Sequence, residues 1–286
     1  MKLGCIVPEK AKLIGLLGLP LSGILSPRLF AYLLGQKGID GAVIVMETQP
    51  EDLGSVLKTL PKIGFVGFSV TAPHKLEAMK YVDELDPMAK RLGALNCIVV
   101  KPDGRLIGKN IDTYGFIEHL KATLVGFPFK KTPTVVVGAG GAARSSCAVL
   151  LDEGVPEIRL VNRSPERANA LAKFIGGPIK VVPWADREAA LDGAGLLVNT
   201  TTQGMTPNPP LDLKLDRLSR TAAVYDIVRT PIDTPLLKAA RSRGHPIVDG
   251  VGMVLHQAKL SCTEWFGFTP EITPATRTFV VEGRLP

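Results

Sequence analysis

The stretch TVVVGAGGAAR, residues 134–144, decides the fold. Four β-formers, Thr134 to Val137, run into a glycine turn and then into helix-forming alanines. Gly138 lets a strand turn tightly, and Gly140 removes the side chain where a pyrophosphate must approach backbone amides. Ala143 takes the third small position, where helix packs on strand. The positive end of the helix then faces the phosphates, so Gly138, Ala139, Gly140, Gly141 and Ala142 form the candidate cradle. A second apolar run, Ile158 to Val161, follows at the expected spacing of about 20 residues and closes a βαβ unit.

The end of that second strand selects the nucleotide. An NAD site places Asp or Glu there to accept hydrogen bonds from the ribose 2′-hydroxyl. Here the residues are Asn162, Arg163, Ser164 and Arg167. Two guanidinium groups and a hydroxyl suit a 2′-phosphate, which a carboxylate would repel. NADP is the expected cofactor, with NAD as a second acceptable one. The competing account makes Arg163 and Arg167 an ordinary solvated helix start, paired with Glu166 or with nothing.

Length and composition fit a soluble enzyme of two lobes. The 286 residues are 45% hydrophobic and 21% charged, neither disordered nor membrane-spanning in character. The charge of +7 is dispersed without a long Lys/Arg run, so anionic small ligands explain it better than nucleic acid. Cys5, Cys97, Cys147 and Cys262 lack metal-ligand spacing and read as reduced thiols of a cytoplasmic protein without a metal. The apolar stretch 13–25 is broken by Pro20 and three glycines. It is too short to cross a bilayer, and a buried strand over 12–17 is expected rather than a signal peptide.

Strand-like runs at 42–46, 63–68 and 97–100 alternate with helical stretches near 26–36, 50–58 and 75–82, an α/β first domain. A helical passage near 113–124 leads into the nucleotide unit, whose further strands are expected at 179–182, 195–199, 222–227 and 246–248. After a small-residue loop at 250–252, a final helical run begins at Met253. The expected domains are 1–112, 113–248 and a returning helical segment, 249–286.

Further motifs occur in one order: GLPLSGILSP at 18–27, SVTAPHK at 69–75, GALNC at 93–97, GKNIDTYG at 108–115, NRS, VNTTTQGM, YDIVRTPIDTPLL and DGVGMVLHQA at 249–258. Together with GAGGAAR they resemble the shikimate dehydrogenase family from residue 18 onward. The resemblance implies a substrate domain interrupted by a Rossmann-like NADP domain, with reversible hydride transfer between nicotinamide and C3 of 3-dehydroshikimate or shikimate. It implies Lys75 as the group that stabilises the substrate oxygen and delivers a proton, with Asp112 as its partner. Substrate contacts are implied for Ser26, Ser69, Thr71, Asn96 and Gln257. Thr200, Val228, Gly250 and Met253 are implied at the cofactor. Taken singly, Asn96 and Thr71 are as well suited to turns, and Met253 to a core.

Three departures bear on the substrate. The family's Ser-x-Ser in the first loop is Ile24-Leu25-Ser26, Ser69 replaces an Asn, and Arg229 replaces a Tyr before the TPL segment. His74 is a further variant beside Lys75. Losing one hydroxyl to a charged group costs about 1.5–3 kcal/mol, which Arg229 could offset by pairing a substrate carboxylate. The expected substrate is therefore a hydroxylated cyclic carboxylic acid, shikimate first and quinate or a relative second. A protein that keeps the fold without turnover is the third reading. A monomer or homodimer, with neither nucleic acid nor membrane as partner, is expected.

Overall fold

The computed structural model describes residues 11–21 and 23–283. In chain order the elements are β1 (Lys12–Gly18), α1 (Ser26–Lys37), β2 (Gly41–Glu47), α2 (Leu53–Thr59), β3 (Phe65–Val70), β4 (Glu84–Leu85), α3 (Pro87–Leu92), β5 (Cys97–Val100) and β6 (Leu106–Lys109). There follow α4 (Asp112–Thr123), β7 (Thr134–Val137), α5 (Gly141–Asp152), β8 (Ile158–Val161), α6 (Pro165–Ile175), β9 (Ile179–Val182), β10 (Leu196–Asn199) and β11 (Ala223–Asp226). The last are α7 (Pro235–Ser242), β12 (Ile247–Val248), α8 (Gly250–Phe266) and α9 (Pro274–Glu282). The chain forms two compact units, Met1–Ile111 with Gln257–Pro286, and Asp112–His256.

The first unit holds a mixed sheet in the order β2-β1-β3-β5-β6-β4. β2, β1 and β3 run parallel, so Leu16 and Leu17 of β1 pair with Ser69 and Val70 of β3 and both strands end side by side. Leu17, Leu53, Phe68, Leu95 and Ile98 are fully buried in its core. The C-terminal segment belongs to the same core. The Trp265 indole donates to the Ile98 carbonyl at 2.9 Å, and the ring lies so close to Gly67 that no side chain fits there.

The second unit is a wholly parallel sheet in the order β12-β11-β10-β7-β8-β9. β7, β10 and β11 are buried at every position, as a sheet covered on both faces requires. The order reverses between β7 and β10, the switch point where such sheets open a crevice beyond their strand ends.

Several expectations need correction. The helix expected at 75–82 is only a 3-10 turn, Glu77–Tyr81. The Lys75 carbonyl accepts the Leu95 amide at 2.9 Å instead of an amide one helical turn on, which diverts the segment from α geometry. The helix expected at 50–58 opens with a 3-10 turn, Pro50–Asp52, before α2. β3 starts two residues late because Gly64, at φ +101°, ends a preceding 3-10 turn. The expected loop at 250–252 is the first turn of α8, since the Asp249 carboxylate accepts the Val251 and Gly252 amides at 2.8 and 3.3 Å. The second compact unit includes the first two turns of α8, and α9 follows α8. The expected first strand is present as β1, whereas Cys5 lies outside the described residues.

Candidate functional site

In the second unit the glycine turn lies at the switch point. Gly138 follows β7 at φ +114°, a conformation that disfavours any side chain. Its Cβ position would lie 2.6 Å from Thr200 Oγ1, just beyond β10. The Thr200 hydroxyl donates to the Val137 carbonyl at 2.7 Å, so it locks the two strand ends together. Space in front of Gly140 and Gly141 is open to 4 Å, while Ala143 is fully buried against the β7 and β8 core. This N-terminus of α5, with uncrowded amides and a positive dipole end, fits a pyrophosphate.

Beyond β8, Asn162 Nδ2 donates to the Ser164 carbonyl at 2.8 Å and Ser164 caps α6 through the Arg167 amide. Arg163 and Arg167 are exposed, and neither forms an ion pair among the described residues. Glu166 pairs with neither; its carboxylate accepts the Ser164 hydroxyl at 2.8 Å, which holds it below the usual carboxylate range. Two uncommitted guanidinium groups on one helix start are suited to a 2′-phosphate.

The loops after β10 and β11 contain a buried polar network that sequence reasoning missed. Asp226, fully buried, accepts from Asn199 Nδ2 at 3.0 Å, the Val228 amide at 3.1 Å and the Thr234 hydroxyl at 2.7 Å. Burial pushes the Asp226 carboxyl up, while these hydrogen bonds pull it down. Asn199 Oδ1 also accepts the Thr201 amide and hydroxyl. The signal available in sequence was a polar residue closing each of two otherwise apolar strands. Val228 is buried, and a side chain on Gly250 would meet the Ile227 and Val228 carbonyls.

Asp112 opens α4 and is buried at 7% exposure. Arg229 is half-buried in the same unit; burial lowers its guanidinium and the Asp112 carboxylate opposes that shift. A carboxylate of the chain itself thus already acts on Arg229.

In the first unit the polar residues gather beyond the paired ends of β1 and β3. The Thr71 amide donates to Leu17 and the Leu19 amide to Ala72, which stitches both loops together. Gly18 leaves room for the Thr71 methyl. The hydroxyls of Ser26, Ser69 and Thr71 have no hydrogen bond among the described residues, and Ser26 starts α1 without capping it. Lys75 is half-buried four residues past Thr71. His74 is buried, with Nε2 at 2.8 Å from the Thr48 carbonyl, so it anchors the loop. Asn96 Oδ1 accepts the Ile111 amide at 2.8 Å. Gln257 lies one turn after Met253 on α8. Ile24 is half-buried where the missing hydroxyl would be.

Among the described residues no cluster of His, Cys, Asp or Glu could hold a metal, and no helix is long and apolar enough to cross a membrane. Cys97, Cys147 and Cys262 are buried free thiols; burial pushes Cys147 and Cys262 up to about 12 and Cys97 further.

With this geometry in place, the comparisons with known proteins are direct. Residues 16–98 match the shikimate dehydrogenase substrate binding domain, and residues 121–207 the shikimate / quinate 5-dehydrogenase family. A shikimate dehydrogenase (NADP(+)) of Paramagnetospirillum magneticum is 51% identical over 95% of this chain and 99% of its own. A shikimate dehydrogenase solved with NADP+ is 33% identical with a TM-score of 0.89, covering 98% of both chains. Quinate dehydrogenase from Corynebacterium glutamicum, solved with NAD, is 28% identical with a TM-score of 0.89 over 95% of this chain and 99% of its own. A Rossmann-like unit inserted in an α/β substrate unit, with both motif sets in order, leaves one conclusion: the chain belongs to the shikimate dehydrogenase family.

Proposed function

We propose that the chain catalyses the reversible NADP-dependent interconversion of 3-dehydroshikimate and shikimate. The observation that carries this reading is a set of hydroxyls, Ser26, Ser69 and Thr71, that find no hydrogen-bond partner among the described residues, the last two within six positions of Lys75. Such donors suit a ring that carries a carboxylate and hydroxyls. NADPH, when bound, supplies the hydride. The α5 N-terminus would hold the pyrophosphate, and Arg163 and Arg167 the 2′-phosphate. Gly250 and Met253 would flank the nicotinamide.

Lys75 Nζ donates to the substrate carbonyl oxygen, stabilises the charge that grows there and delivers a proton as the alcohol forms. Asp112 positions that ammonium and takes part in returning the proton. In the oxidative direction Lys75 accepts the hydroxyl proton, so one residue serves both directions. Asn96 and Gln257 orient the ring hydroxyls, and Arg229 supplies the charge for the carboxylate that Ile24 cannot bind.

Initial rates by nicotinamide absorbance, with shikimate or quinate against NADP or NAD and Lys75→Ala as the blank, test this reading. Fast shikimate turnover with NADP that disappears in the variant is expected. Faster turnover of quinate would overturn the substrate assignment, and turnover that survives Lys75→Ala would overturn the mechanism.

A further inference from the structure

A buried group of rings in the second unit has no part in the chemistry above. His119, in the third turn of α4, is 7% exposed. Its Nδ1 lies 3.3 Å from the Tyr225 hydroxyl, with the two rings edge to face at 5.7 Å between centroids. It also stacks with His256 at 5.7 Å. Tyr225 is itself fixed by stacking on Phe116 at 4.7 Å, so the His119 ring has little freedom. Gly252, in the first turn of α8, meets the His119 ring directly: a Cβ there would fall within the van der Waals envelope of Nε2, Cδ2 and Cε1. Gly252 has no positive φ, so its own backbone conformation does not require glycine. The neighbouring ring is what excludes a side chain.

We propose that His119 is a positioning residue for hydride transfer, the platform that sets the height of the α8 first turn and with it Gly250 and Met253. The proposal rests on the reading that this turn flanks the nicotinamide. Asp249 fixes where the helix begins, through the Val251 and Gly252 amides. Tyr225 and His256 fix the ring on which it rests. Packed interiors transmit such a displacement instead of absorbing it. A wedge between Gly252 and His119 would move Met253 away from its place while the adenosine end, held by α5 and α6, stays where it is.

The test is a compensation series in the full-length enzyme: Gly252→Ala, His119→Ala and the pair. A misplacement of about 1 Å at a reacting centre costs on the order of 100-fold in rate, so Gly252→Ala is expected to lower kcat by about 10- to 100-fold. KM for shikimate and the preference for NADP over NAD should hold. His119→Ala should cost less, and the double variant should return to within about threefold of His119→Ala alone, because the vacated space admits the methyl group. If Gly252→Ala fails to fold, the double variant is expected to fold and to match His119→Ala.

Emission from the nicotinamide of bound NADPH provides a second readout, altered in Gly252→Ala and restored in the pair. Wild-type kcat and emission in Gly252→Ala, or a double variant as impaired as Gly252→Ala, would overturn the proposal. If the wild-type enzyme does not turn over shikimate, the functional reading fails, while the emission series still decides the role of His119.

Discussion

Thr200 Oγ1 lies 2.6 Å from the point where a side chain on Gly138 would begin, at the switch point between β7 and β10. Two requirements meet at this glycine, a φ of +114° and a crowded approach by the neighbouring strand end. Gly138→Ala should therefore destabilise the protein by about 1–3 kcal/mol and weaken NADP. Denaturant midpoints and cofactor titration measure both effects. A variant with unaltered stability would show that Thr200 can retreat without consequence.

Arg163 and Arg167 offer exposed guanidinium groups that form no ion pair among the described residues. Charge-assisted hydrogen bonds contribute about 1.5–3 kcal/mol, so Arg163→Ala should weaken NADP by roughly 10- to 100-fold and leave NAD nearly unchanged. Fluorescence titration with the two reduced cofactors separates the effects. Equal loss for both would assign Arg163 to the fold.

Arg229 should behave differently. If it pairs the substrate carboxylate, Arg229→Ala raises KM for shikimate roughly 10-fold or more while the Kd for NADP holds. Steady-state kinetics with direct cofactor titration give the answer. An unchanged KM would leave Asp112, whose carboxylate already acts on this guanidinium, as its partner.

The Asp226 carboxyl is raised by burial above its ordinary value of 3.8. A carboxyl raised on folding contributes most below its unfolded value, and that contribution is lost as pH climbs through the folded value. Relative to Asp226→Asn, the wild-type protein should therefore gain stability on acidification and lose it toward neutrality. Urea midpoints of both proteins across that range test the sign. A constant difference would mean that Asp226 titrates alike in the folded and unfolded chain.

Much of this architecture is legible in the residues. The runs that became β7, β8, β10 and β11 are apolar because both faces of the sheet are covered, and the glycine turn marks the nucleotide edge unaided. β4 has two residues and carries no period to read, and β6, Leu-Ile-Gly-Lys, has only two apolar side chains. The 77–81 turn looks helical because its periodicity says nothing of the Lys75 carbonyl's partner, Leu95, which lies 20 positions away. The site divides in the same way. Ser26 and Thr71 are informative because nothing among the described residues uses their hydroxyls, but that is visible only in the fold. The Asp226 network joins residues 27 and 8 positions apart, beyond any local pattern.

The discontinuous first unit has a consequence for the order of events during synthesis. Asp112–His256 is one uninterrupted segment, so all of it is synthesised before the returning part of the first unit. Domains fold as units, and the first unit lacks part of its core until Trp265 arrives to close over Gly67 and bond Ile98. The middle of this chain is thus complete in sequence before the unit that contains its beginning. A chain released short of Trp265 would hold every residue of the continuous unit and lack the final helices of the discontinuous one.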